Sequence, residues 1–466
     1  MHTPSPPPPP RADKYVVLLA DDASPADLAA VAEAIARPLI SSAELGGDLA
    51  AGEVYARGQG IYFKNLNVAV VDDLDLARAA DAVRGPSPVI HVERERVYHA
   101  SATAAVAPPD HPSPAADTGP AADTGPAADT GERARAEVAA LREDLRAMEA
   151  HLRELDALFR EAPSPVTPVI DRGGAITWGL RATGWPLAGT YTGKGARVAV
   201  LDTGIDPQHP SFAARALAGK TFVAEAWDED RNGHGTHVAG TVAGGRTADD
   251  AGVAFGIAPG AELLIGRVLG DGGSGTTGGI VDAIDWALER GCQVVNLSLG
   301  SAVAIGQPPS PVFERVGERA LARGCLLVAA AGNASRRPQS PPRPVGNPAN
   351  AQSIMAVGAL DERLRVAPFS NGGINAGDGG AIDVAAPGVG VLSARTTLGD
   401  DGPLYHDLSG TSMATPHVAG VAALLLEEDP RRTGTALWGA ITALARDLPG
   451  ALFRDVGAGL VQCPRP

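Results

Sequence analysis

Arg197-Val198-Ala199-Val200-Leu201-Asp202-Thr203-Gly204-Ile205-Asp206 begins as a buried strand and ends on a carboxylate and a turn. Val198 to Leu201 lacks the polar alternation of a half-exposed strand, and an unbroken apolar run marks a strand covered on both faces. Runs of the same kind recur at Glu262-Leu263-Leu264-Ile265, Gln293-Val294-Val295-Asn296-Leu297, Leu326-Leu327-Val328-Ala329 and Ser353-Ile354-Met355-Ala356-Val357. Helical patterns at Gly279 to Arg290 and Val312 to Arg323 sit between them. Strands alternating with helices predict an α/β fold, a largely parallel sheet flanked by helices, over residues 175–463. In such sheets functional side chains gather beyond the carboxyl ends of the strands. Asp202 stands at such an end, although an Asp before Thr-Gly also reads as a cap or turn former.

Three further stretches carry chemistry. His234 lies in Gly233-His234-Gly235-Thr236-His237-Val238-Ala239-Gly240, whose small residues let a helix begin close against another backbone. The pair His234 and His237 does not read as a zinc site, since zinc helices set two His four apart around a Glu and no third ligand is evident. His237 is expected as a packed residue. Ser412 lies in Gly410-Thr411-Ser412-Met413-Ala414-Thr415-Pro416-His417-Val418-Ala419-Gly420, ahead of the apolar run Val421 to Leu426. A Ser at a helix mouth serves as an N-cap. It also suits a nucleophile, because helix-terminal N–H groups and the dipole favour the negative charge of acyl transfer. Ala414 rules out the Gly-x-Ser-x-Gly elbow of α/β-hydrolases. Asn333, after Ala329-Ala330-Ala331-Gly332, is either a turn residue or an amide donor aimed at an oxyanion.

The order Asp, His, Ser is one of the known arrangements of a serine-hydrolase triad. The blocks Val200 to Asp206, His234 to Gly240 and Gly410 to His417 resemble the three signature motifs of the subtilisin family. Asn296-Leu297-Ser298-Leu299-Gly300 is similar to its substrate-binding strand, and Ala331-Gly332-Asn333 to its oxyanion motif. The likeness spans roughly residues 178–463. It implies a serine endopeptidase working through an acyl-enzyme with no catalytic cofactor. His234 would be the base for Ser412, Asp202 would orient the imidazole, and Asn333 with the Ser412 N–H would hold the oxyanion. It also implies that Ser298, Leu299 and Gly300 pair with the substrate backbone. Ala330, Ala331 and Gly332 would wall the main pocket, and Gly346, before Asn347-Pro348-Ala349, would floor it and leave room for a large apolar side chain before the cut. One departure stands out. An Asp that binds calcium in many subtilisins follows a His-Pro pair, but here His209-Pro210 is followed by Ser211. No metal ligand is therefore assigned, and structural calcium is left open. The loops 333–348 and 371–380 look longer than the family pattern.

The first 160 residues divide by composition. Residues 1–13 form a Pro-rich tail. Residues 14–100 predict a small α+β, ferredoxin-like unit: strand, helix, strand pair, helix and a last strand from Val89 to Ala100. This unit resembles the family's inhibitory propeptide, with that strand entering the cleft as product, so a self-processing zymogen is expected. Residues 101–131 hold Pro-Ala-Ala-Asp-Thr-Gly three times in tandem, too poor in large apolar residues to offset ordering entropy. Residues 132–162 predict an amphipathic helix whose Val138, Leu141, Leu145, Met148, Leu152, Leu155 and Phe159 form a heptad seam. Docking on a neighbour and self-association are both open for it.

Composition bounds the rest. At 466 residues, with 44% hydrophobic and 20% charged, the chain suits a multi-domain globular protein. A net charge of −15 argues against nucleic acid and anionic membrane surfaces as partners, leaving polypeptide substrates and the chain's own propeptide. Cys292, Cys325 and Cys463 follow no metal or disulfide pattern, and Cys292 and Cys325, each after a Gly and opening an apolar run, are expected as buried, inert thiols. No apolar leader is seen near Met1, which points to a cytoplasmic location, with export by a route lacking a signal peptide still open. A rival from another class is an inactive protease-fold scaffold tethered through the heptad helix.

Overall fold

The computed structural model describes residues 13–20, 27–42, 54–55, 57–85, 87–100, 103–104, 175–248, 252–375, 379–399 and 402–465. These belong to one compact unit. The expected tail, nearly all of the repeat linker and the heptad helix lie outside the described residues.

The N-terminal portion runs β1 (Lys14–Leu19), α1 (Asp27–Ile35), β2 (Leu39–Ser41), β3 (Gly60–Phe63), β4 (Val68–Asp72), α2 (Leu76–Arg84) and β5 (Val89–Arg94). The sheet order is β2-β3-β4-β1-β5. The predicted split unit is present, with β2 as an added edge strand parallel to β3. Alternation along β1 explains its burial on both faces. Tyr15, Val17 and Leu19 pack with Val31 and Ile35 of α1. Val16 and Leu18 join a second cluster that contains residues far along the chain, among them Ile280, Val281, Phe313 and Val316.

The predicted last strand is corrected. It breaks after Arg94: β5 completes the first sheet against β1, and β6 (Val97–Ala100) leaves it for another. Glu95 and Arg96 at the break anchor the chain by contacts described below. A short strand β7 (Thr103–Ala104) follows, and then α3 (Trp178–Ala182).

The large portion runs β8 (Arg197–Asp202), β9 (Ala218–Thr221), α4 (His234–Ala243), β10 (Glu262–Arg267), β11 (Ser274–Thr276), α5 (Thr277–Glu289), β12 (Val294–Leu297), β13 (Leu299–Gly300), α6 (Pro311–Ala322), β14 (Leu326–Ala330), β15 (Met355–Leu360), β16 (Val384–Pro387), β17 (Val391–Ala394), β18 (Tyr405–Ser409) and α7 (Thr411–Glu428). Its main sheet is parallel throughout, in the order β16-β15-β14-β12-β8-β10-β9. The strands expected from sequence are the contiguous middle of this sheet. The two edges were missed because β9 is short, polar and mostly exposed, and β16 is a Val-Ala-Ala-Pro tetrapeptide.

Side chains alternate between two layers. Val198, Val200, Ile265 and Val328 pack toward α4 and α7, while Ala199, Leu201, Leu264 and Leu327 pack toward α5 and α6. Helix α7 is buried from Thr411 through Leu426, as expected of a helix apolar all round. A Cβ on Gly420 would lie 2.5 Å from Ile257 Cβ, so that contact needs glycine. Burying each of Leu424, Leu425 and Leu426 contributes about 1.5–3 kcal/mol. This rigid helix carries Ser412 in its first turn. All three cysteines are buried and free, Cys292 and Cys325 as expected.

Candidate active site

Three neighbouring strands, β14, β12 and β8, bring the site together at their carboxyl ends. Asp202 is the last residue of β8 and is 1% exposed. His234 opens α4, and Gly233 before it takes φ +85°, a left-handed turn that glycine permits. A Cβ on Gly235 would lie 2.2 Å from Gly204 O, so only glycine lets α4 start this close to the turn after Asp202.

Asp202 Oδ1 accepts from His234 Nδ1 at 2.7 Å and from Thr203 N at 2.8 Å. A carboxylate only accepts, so Nδ1 carries the proton and the lone pair of Nε2 is left for another partner. Burial pulls the His234 pKa down, but the charge and hydrogen bond of Asp202, helped by Asp230, outweigh it and raise the net value. Asp230, which was not singled out from sequence, is fully buried. Its carboxylate accepts from Thr203 Oγ1, Gly233 N, Thr236 N and Thr236 Oγ1 at 2.7–2.9 Å. That network clamps the first turn of α4 to the loop after β8.

Ser412 Oγ donates to Ser298 O at 3.0 Å, and Ser298 Oγ donates back to Ser412 O at 2.8 Å. Pro416, four residues on, lacks the N–H that would otherwise take Ser412 O, so Ser298 supplies the missing donor. Among the described residues no hydrogen bond joins Ser412 to His234, and Nε2 of His234 is buried without a partner. Nucleophile–base contacts are often long before substrate binds. Asn333, just past β14, has its amide oxygen fixed by Thr411 N and Thr411 Oγ1, both at 2.8 Å. Thr411 was not singled out from sequence, yet it sets the orientation of Asn333.

The remaining expected residues fall around this edge. Ala330 ends β14, Ala331 O accepts from Gly346 N at 2.9 Å, and Gly332 takes φ +106°. A side chain on Gly346 would meet Ser301 O at 2.8 Å, so glycine is required there by a close backbone approach. His237 is buried and its Nε2 contacts Val391 O at 2.9 Å, a packed residue as expected. Ser211, where the calcium Asp was looked for, has no carboxylate, and its hydroxyl lies 3.4 Å from Tyr405 Oη. Among the described residues no cluster of three His, Cys, Asp or Glu is set to hold a metal.

Leu299 and Gly300 form β13, and its partner is the chain itself. β6 is the middle strand of the antiparallel sheet β11-β6-β13, with Leu299 opposite Ala100, Gly300 opposite His99 and Gly275 opposite Tyr98. Ala100 N donates to Gly273 O at 2.9 Å. Beyond this strand, Thr103 pairs with Ser409 and Ala104 with Leu408, just ahead of Ser412. Several polar contacts hold the N-terminal portion in place. Glu95 Oε1 accepts from Gly278 N at 2.8 Å, an anion at the N-terminus of α5. Arg96 N donates to Thr277 Oγ1 and Thr277 N to Arg96 O, Ser310 donates to Glu93, and Asp285 accepts from Ser42 Oγ and Asn65 N.

A family model, that of the Subtilase family, matches residues 193–459. Subtilisin Savinase of Lederbergia lenta is 42% identical over 259 residues, which is 55% of this chain and 86% of that protein. M-protease of Shouchella clausii (strain KSM-K16) is 42% identical over 259 residues, and the match spans 61% of its length. Subtilisin DY of Bacillus licheniformis is 37% identical over 272 residues, 58% of this chain and 90% of that protein. The cytoplasmic location expected above is overturned, since these relatives are secreted, extracellular subtilisins; the reading of residues 1–13 carries no weight on the point.

Proposed function

The chain belongs to the subtilase family, and on that premise we propose that it is a serine endopeptidase made as a zymogen that cuts itself. Ser412 attacks the scissile carbonyl, and His234 takes its proton through Nε2. Asp202 holds the tautomer and stabilises the imidazolium. The Asn333 amide and the Ser412 N–H receive the oxyanion, a donor set in which one side-chain amide contributes about 2.7–4 kcal/mol. No cofactor takes part, as in subtilisins generally.

The observation that carries this reading is the seating of β6 between β11 and β13. An extended segment held by backbone bonds on both sides is how a polypeptide substrate would bind, with affinity coming from the main chain and selectivity from side-chain pockets. Residues 14–100 act as propeptide in this proposal. The paired strand reaches Ala100 opposite Leu299, the neighbour of Ser298, whose carbonyl Ser412 Oγ touches. The bond between Ser101 and Ala102 is therefore proposed as the processing site. Purified protein is expected to show a mature chain beginning at Ala102 by N-terminal sequencing. A chain that stays whole, or a first cut far from this bond, would count against it.

The pocket walled by Ala330 to Gly332 and floored by Gly346 is proposed to take a large apolar residue before the cut, while tolerating the small Ser101. A peptide-library profile reads this directly.

The pH dependence follows from His234. Its protonated form cannot act as base, and its pKa is raised above the ordinary 6.5. Peptidase kcat/KM is expected to climb with pH through a single ionisation whose midpoint lies above 6.5, and to fall away on the acid side. A midpoint at or below the ordinary value would contradict the Asp202–His234 coupling.

A further inference from the structure

We propose, resting on the peptidase reading above, that Ser301 and Asn347 form a polar floor that selects a tyrosine four residues before the cleaved bond. Tyr98 occupies that position in the chain's own segment. It is fully buried, and its ring meets Phe313 edge-on with centroids 5.6 Å apart. The wall around it is apolar, in the cluster that includes Leu269 and Leu299.

The far end of the pocket is not apolar. Asn347 Nδ2 donates to Tyr98 Oη at 2.6 Å, and Asn347 is itself fully buried. Asn347 and Ser301 are a directly paired couple, exchanging N–H to O bonds of 3.0 and 2.8 Å, which sets both side chains on one face. Ser301 Oγ is buried and makes no hydrogen bond of good geometry among the described residues, so an acceptor for the phenol proton stands beside Tyr98. Burial pushes the Tyr98 phenol up, and the hydroxyls of Thr277 and Ser301 beside it hold it back in part.

A phenylalanine in this pocket fills the same apolar space and leaves the Asn347 amide without its partner. Leaving a buried donor unpaired costs more than the bond itself contributes, and sites built around a substrate hydroxyl discriminate on that ground. Substrates with Tyr at this place are therefore preferred over their Phe counterparts, beyond what ring burial alone gives.

The test uses the self-processed protein and two peptides, Val-Tyr-His-Ala-Ser-Ala-Thr-Ala and its counterpart with Phe for Tyr. A propeptide still bound lowers both rates alike, so the ratio of kcat/KM is the readout. Tyr is expected to lead by about 10-fold or more, and Asn347→Leu or Ser301→Ala to pull the ratio toward one. Equal rates in the unaltered enzyme overturn the proposal. A second arm needs no catalysis: in the full-length Ser412→Ala chain, Tyr98→Phe should lower Tm with Asn347 present and have little effect beside Asn347→Leu. Additive shifts overturn the contact. If the unaltered protein cleaves neither peptide while the coupling in the Ser412→Ala chain persists, the peptidase reading falls and the Tyr98 contact stands.

Discussion

Ser412→Ala is expected to lower peptide hydrolysis about 10⁶-fold, a magnitude carried over from a related peptidase with the same three residues. The expectation rests on position as well as identity. Ser412 is held in the first turn of a helix buried over sixteen residues, beside the strand that pairs with polypeptide. Alanine removes Oγ and leaves the backbone bonds in place, so the fold should persist while acyl transfer stops. Two measurements check this. A fluorophosphonate should label the unaltered protein at Ser412 and not the variant, and the variant should migrate at full length where the unaltered protein is cut. A variant that keeps one per cent of the activity, or two proteins of equal length, would remove Ser412 from the proposed role. Failure of the unaltered protein to take the label would favour the scaffold reading.

Asp202→Asn should cost about 10⁴-fold in kcat with little change in stability. The carboxylate can only accept, which keeps the proton on His234 Nδ1. An Asn amide can turn its NH₂ toward Nδ1, so the proton moves to Nε2 and the lone pair that should take the Ser412 proton is lost. The same Oδ1 also accepts from Thr203 N, so that one bond is lost with it, while Oδ2 has no partner among the described residues to lose. Kinetics within tenfold of the unaltered enzyme, at unchanged Tm, would show that Asp202 is a structural residue only.

Much of this site was legible before any tertiary contact was known. Gly233, Gly235, Gly332 and Gly346 stand beside the functional residues because a left-handed turn or a close backbone approach demands them, and such demands leave local marks. The apolar runs of the five middle strands were equally plain, since a strand covered on both faces needs no partner to be recognised. The edges β9 and β16 escaped because short or polar strands carry no such pattern. Asp230 and Thr411 escaped for another reason. Each looks like an ordinary turn or cap residue, and its importance lies in what it grips, Thr203 and Thr236 in one case and Asn333 in the other.

The break between β5 and β6 marks the limit of periodic reading. Val89 to Ala100 alternates well enough to pass for one strand, yet Glu95 is tied to the N-terminus of α5 and the two halves serve different sheets. By itself the sequence determined the fold class, the order of the candidate catalytic residues and their setting at strand ends, because these depend on short-range backbone needs. The neighbours of Tyr98 were decided only in the tertiary structure. Asn347 lies 249 positions away from it, and its amide reaches the phenol because β6 threads between β11 and β13. Contacts between residues so far apart are set by which strands pair, and no local pattern of apolar and polar residues encodes that choice.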